Sequence, residues 1–107
     1  MNLRIRNLSM ILLAATLAAP AFAQSGADTY KAKCATCHGP DGLAATPAGK
    51  AMKVPSFKTP ELVKASDADL IAATKSGKGK MPAYNGKLTD AQIKEVVAYI
   101  RTVQKSK

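Results

Sequence analysis

Apolar residues near the C-terminal end recur at helical spacing. Ile93, Val96, Val97, Ile100 and Val103 stand 3, 4, 7 and 10 positions from the first, with Tyr99 at the flank. Thr89-Asp90-Ala91-Gln92 just upstream has the form of a capping box, so a helix is predicted from Asp90 to about Val103, with 104–107 as a frayed tail. Ala27, Tyr30, Lys31 and Cys34 share a second helical face, and Ser25-Gly26-Ala27-Asp28 marks where that helix should start. Gly26 weakens a helix, so its position suggests close packing against a neighbour. Thr59-Pro60-Glu61-Leu62 reads as an N-cap with proline at the first helical position, opening a short helix to about Ala65. Ser66-Asp67-Ala68-Asp69 opens another, through Leu70 and Ile71 to Ser76, stopped by Gly77. The stretch from Gly39-Pro40-Asp41-Gly42 to about Pro55 and the stretch 77–86 are rich in glycine and proline and read as loops. Alternating strand patterns are absent, so the expected fold is all-α, with three to five short helices.

The first 23 residues follow a different logic. Arg4 and Arg6 form a positive segment, Leu8 to Ala19 is apolar except for Ser9 and Thr16, and Ala21-Phe22-Ala23 is an A-x-A cleavage site. Residues 1–23 are therefore expected to be a cleaved export signal. The apolar run is too short to span a bilayer, which takes about 20 residues, so no lasting membrane insertion is expected. Export by this route places the protein in a periplasm or a thylakoid lumen.

The chemistry lies in Cys34-Ala35-Thr36-Cys37-His38, which holds the only two cysteines and the only histidine of the chain. C-x-x-C-H is the pattern of covalent haem attachment. Two thiols three positions apart on a helical turn point the same way, as needed to bond both vinyl groups of one haem. The following imidazole can then bind the iron from below. A thioredoxin-like redox pair would need a βαβ context, and a zinc site would need a fourth ligand. Cys34 and Cys37 are thus the expected thioether residues and His38 the expected axial ligand. A carbonyl beside Pro47 is a candidate acceptor for the outer nitrogen of His38, with Pro40 and Pro55 as competitors.

The sixth iron position points to Met81. It sits 43 residues beyond His38 in Lys80-Met81-Pro82, a loop stiffened by proline. A thioether is a soft ligand that raises the potential. Met1 and Met10 leave with the signal, and the remaining rival, Met52, lies in the wrapping stretch 39–55.

Removing 23 of the 107 residues leaves 84, one small domain at 24–107, with 14 basic residues against 7 acidic ones. A chain this short needs a staple, and with both thiols committed the haem must serve, so the apo-chain is expected to be poorly folded. The excess of lysine over arginine and the lack of nucleic-acid motifs argue against nucleic-acid binding. A basic exported electron carrier would be steered to acidic docking patches on redox complexes, with Lys75, Lys78 and Lys80 as candidate contacts; plain solubility explains the same charge.

The sequence resembles the class I c-type cytochromes over essentially the whole mature chain. The likeness rests on Cys34-Ala35-Thr36-Cys37-His38-Gly39, Lys80-Met81-Pro82-Ala83-Tyr84, and Lys87-Leu88-Thr89-Asp90 leading into Val96-Val97-Ala98-Tyr99-Ile100. It implies one haem c wrapped by the helices, His38 and Met81 as axial ligands, and terminal helices that cross at Gly26 and Tyr99. Pro47 resembles the proline whose carbonyl holds the histidine. The implied function is a monomeric one-electron carrier between larger redox complexes, with no open iron site and hence no enzymatic activity. The alternatives are a haem enzyme or gas sensor with an open or labile sixth site, and a C-x-x-C thiol oxidoreductase.

Overall fold

Hydroxyl side chains cap the starts of three helices, at Thr46, Ser66 and Thr89, because the first N–H groups of a helix need acceptors from outside it. The computed structural model describes residues 21–106. Among them six helices follow one another: α1 (Ala21–Lys33), α2 (Ala35–His38), α3 (Pro47–Ala51), α4 (Pro60–Lys64), α5 (Asp67–Ser76) and α6 (Asp90–Lys105). No strand forms among the described residues, only isolated bridges pairing Lys78 with Met81 and Asn85 with Leu88. At the start of α6, Thr89 Oγ1 accepts from the Gln92 N–H at 3.1 Å and Gln92 Oε1 accepts from the Thr89 N–H at 2.8 Å, completing the capping box. Ser66 Oγ caps α5 by accepting from the Asp69 N–H at 3.0 Å, and Gly77, at φ 75°, ends it.

Two expectations need correction. Helix α1 is already helical at Ala21, the first described residue, so it runs through the anticipated start at Ser25, because Ala21, Phe22, Ala23 and Gln24 contain no helix breaker. Residues 1–20 of the expected export signal lie outside the described residues. Helix α3 also falls within the stretch read as irregular, and the break at Cys34 sets α2 apart from α1, so among the described residues the helices number six rather than three to five.

The core is the interface of α1 and α6, the most extensive helix contact in the protein. Ile93, Val96, Val97, Ile100 and Val103 are all buried, as the stripe requires. Tyr30 of α1 packs among Phe57, Val96 and Ile100, and its ring centroid lies 5.1 Å from that of Tyr99. Gly26 meets the α6 backbone: a Cβ there would strike the Glu95 carbonyl group and lie 3.4 Å from Tyr99 Cβ. The helices cross where Gly26 and Tyr99 were expected to meet.

Arg101 fastens α6 to the α4–α5 junction. Its Nε donates to Asp67 Oδ1 at 2.8 Å, its Nη1 to Gln104 Oε1 at 2.9 Å, and its Nη2 to the Ala65 carbonyl. Gln104 Nε2 in turn donates to the Phe57 carbonyl at 3.0 Å. Replacing Arg101 with alanine removes these charge-assisted bonds together and is expected to cost about 2 kcal/mol. The measurement is the denaturant midpoint at unchanged slope. Arg101→Lys should recover only part of the loss, since an ammonium lacks the planar fork; full recovery would contradict this account.

Candidate functional site

Cys34 marks a break in the helical path. Its backbone, at φ −117°, separates α1 from α2. The path nevertheless continues: the Cys34 N–H donates to the Tyr30 carbonyl at 2.9 Å, and the Cys34 carbonyl accepts from the His38 N–H at 2.9 Å. Cys34, Cys37 and His38 therefore share one turn, and both cysteines are free and half-buried. Burial, followed by the nearby charge of Cys37, pushes the Cys34 thiol up to about 11. Redox-active pairs work through a lowered thiol pKa, so a thiol protonated at neutral pH disfavours the oxidoreductase alternative. Among the described residues no group of three or more His, Cys, Asp or Glu side chains is arranged to hold a metal ion.

Burial lowers the pKa of His38, so its imidazole is neutral at neutral pH. The ring stacks on Phe57, with centroids 4.4 Å apart and planes 15° from parallel. Its Nδ1 is the one buried side-chain polar atom among the described residues that lacks a hydrogen-bond partner. The expected bond to a carbonyl beside Pro47 is not formed. Pro47 instead opens α3 behind the N-cap Thr46, which commits the local carbonyls to the helix.

Several contacts fix this turn from outside. The Tyr30 hydroxyl donates to the Gly39 carbonyl at 2.6 Å, directly after His38; burial raises the phenol pKa, so it remains a donor. The Ala44 N–H donates to the His38 carbonyl at 2.8 Å. Thr46 Oγ1 lies 2.7 Å from the Thr36 carbonyl oxygen and 3.1 Å from that of Cys37, and it accepts from the Gly49 N–H at 3.0 Å. A Cβ on Gly49 would strike the Cys37 carbonyl, so α3 rests its backbone directly on the cysteine turn. Sequence reasoning missed Thr46 and Phe57. Thr46-Pro47 carries the same N-cap signal as Thr59-Pro60, whereas no local pattern marks Phe57.

Met81 lies half-buried in a tight turn, where the Lys78 and Met81 backbones exchange hydrogen bonds of 3.0 and 3.2 Å. The rival Met52 caps the end of α3 and is 45% exposed. Beyond Met81, the Tyr84 N–H donates to the Thr74 carbonyl at 3.0 Å and the Asn85 N–H to the Lys75 carbonyl at 3.1 Å, tying the loop to α5. Of the candidate docking lysines, Lys75 pairs with Asp90 at 3.0 Å, while Lys78 and Lys80 are exposed.

Residues 21–100 match the family described as cytochrome C oxidase, cbb3-type, subunit III. Cytochrome c6 from a Synechococcus species is 36% identical over 102 residues, covering 92% of this chain and 88% of its own. Cytochrome c6 from a Picosynechococcus species is also 36% identical, over 76% of this chain and 75% of its own. The solved structure of the c-type cytochrome KustC0563 superposes with a TM-score of 0.67 at 31% identity, covering 73% of this chain and 95% of that one.

The chain belongs to the class I c-type cytochromes. Membership brings one covalently bound haem c, and the residues present suit it. This cytochrome has two free thiols three positions apart, a neutral imidazole next to the second, and a buried ring nitrogen with no protein partner. Among the described residues, no helix is long and apolar enough to cross a membrane.

Proposed function

We propose that this cytochrome carries single electrons between larger redox complexes outside the cytoplasm, with Cys34 and Cys37 as the thioether residues and His38 and Met81 as axial ligands. Residues 1–23 are removed as an export signal, and residues 24–107 form the haem domain. When bound, haem c supplies an iron centre that cycles between two oxidation states. The polypeptide holds its ligands still. Tyr30, Thr46 and the Ala44 N–H pin the turn that carries His38, and the pair of backbone hydrogen bonds between Lys78 and Met81, with the Tyr84 and Asn85 anchors, pins the Met81 loop. Ligands that stay in place in both oxidation states keep reorganisation small. The exposed Lys78 and Lys80 beside Met81 suit an acidic docking patch, which would raise the encounter rate at low salt.

The observation that carries this reading is the buried, unpartnered Nδ1 of the half-buried His38, one residue after a pair of free thiols. The visible spectrum tests it. The oxidised protein should be low-spin and show the weak red band of methionine–iron ligation. Met81→Ala should abolish that band and lower the reduction potential, because the thioether favours Fe(II), whereas Met52→Ala should leave both unchanged. A high-spin spectrum that shifts at once with cyanide or CO would instead favour an enzyme or gas sensor with an open iron site.

A further inference from the structure

The break at Cys34 frees one carbonyl. In an unbroken helix the Lys33 carbonyl would accept from the Cys37 N–H, but that N–H bonds the Cys34 carbonyl at 3.3 Å instead. The Tyr84 hydroxyl takes the freed acceptor, donating to the Lys33 carbonyl at 3.0 Å across 51 positions of chain. Tyr84 thus joins the Met81 loop to the end of α1, one residue before the cysteine turn. It stands three positions after Met81, and Pro82 stiffens the intervening segment. Its main chain is held as well, through the Thr74 carbonyl, and Lys87 Nζ sits 5.9 Å from the centre of its ring. Burial raises the phenol pKa, so the hydroxyl keeps its proton.

We propose that Tyr84 is the positioning residue of Met81: its hydroxyl, seated on the Lys33 carbonyl, fixes the Met81 loop relative to the Cys34–His38 turn and holds the loop closed. The inference rests on Met81 being the sixth ligand. A loop secured this way opens rarely, and an external ligand can reach the iron only when Met81 has left. The apparent affinity for such a ligand therefore scales with the open fraction.

The test titrates imidazole into the oxidised, haem-bearing protein and its variants, following the red band as it disappears. Tyr84→Phe keeps the ring and removes only the hydroxyl. Losing one hydrogen bond should raise the imidazole affinity about five-fold, and the red band should fade at a lower temperature than in the parent. Tyr84→Leu removes the ring too and should bind at least as tightly as Tyr84→Phe. An unchanged affinity in Tyr84→Phe overturns the strap, whatever Tyr84→Leu does. Met81→Ala keeps the two ideas apart. If it binds imidazole far more tightly than the parent while Tyr84→Phe does not, Met81 is the ligand and Tyr84 does not position it. If Met81→Ala binds no more tightly than the parent, Met81 is not the ligand, and the strap falls with that assignment.

Discussion

Replacing both Cys34 and Cys37 with alanine is expected to abolish cooperative folding, leaving little helical signal in the far-ultraviolet and no sigmoidal thermal transition. The buried apolar set among the described residues is small: Tyr30, Ala44, Phe57, Ile93, Val96, Val97, Ile100 and Val103. Leu62, Leu70, Ile71, Met81 and Leu88 stay half-exposed in the polypeptide itself. A core of this size supplies at most about 3–5 kcal/mol before any staple is counted. Helices α2, α3 and α4 have four or five residues each, far below the length at which an isolated helix persists in water. Their order therefore depends on what they pack against. Circular dichroism of the double variant decides the matter. A native-like spectrum with a cooperative melt would show that the α1–α6 interface alone folds the chain.

Gly26→Val is expected to destabilise the haem-bearing protein by about 2–4 kcal/mol, with Gly26→Ala nearer the lower figure. Two effects oppose each other. On helix propensity alone, alanine would gain about 1 kcal/mol over glycine. Against that, the Cβ would sit 2.9 Å from the Glu95 carbonyl carbon and closer still to its oxygen. The obstacle is helix backbone, which cannot rotate away as a side-chain tip can, so α1 and α6 must separate. Separation would loosen Tyr30 from Val96 and Ile100, and with it the hydroxyl bond to Gly39 beside His38. Guanidinium unfolding of the oxidised form measures the loss. An unchanged or raised midpoint for Gly26→Ala would mean that the crossing has slack the geometry does not show.

The two expected losses have different origins. The cysteine variant loses the body around which the short helices assemble, whereas the Gly26 variant loses the fit of the two long helices. Arg101, Met81 and Tyr84 act more locally, each through bonds that can be removed singly. Graded substitution thus separates the stability of the scaffold from the fixing of the iron ligands.

The amino-acid sequence by itself determined the parts that depend on near neighbours in the chain. Capping side chains and the residues they serve are three positions apart, so the starts of α5 and α6 could be read from Ser66 and Thr89. The α6 stripe is likewise local, and every one of its five members is buried. The C-x-x-C-H turn announced covalent haem because its spacing is itself the chemistry. Tertiary structure decided what joins distant positions. Nothing near Thr46 in the chain indicates that its hydroxyl reaches the carbonyls of Thr36 and Cys37, and nothing near Phe57 places its ring on His38. Pro47 was read as a partner of the histidine, yet it follows an N-cap and its backbone belongs to α3. The Tyr84 bond to Lys33 spans 51 positions and lands on a carbonyl that the break at Cys34 leaves without its helical partner. Periodicity and capping report the backbone's short-range hydrogen bonding, whereas a side chain that holds a site in place finds its partner only after the chain has closed on itself.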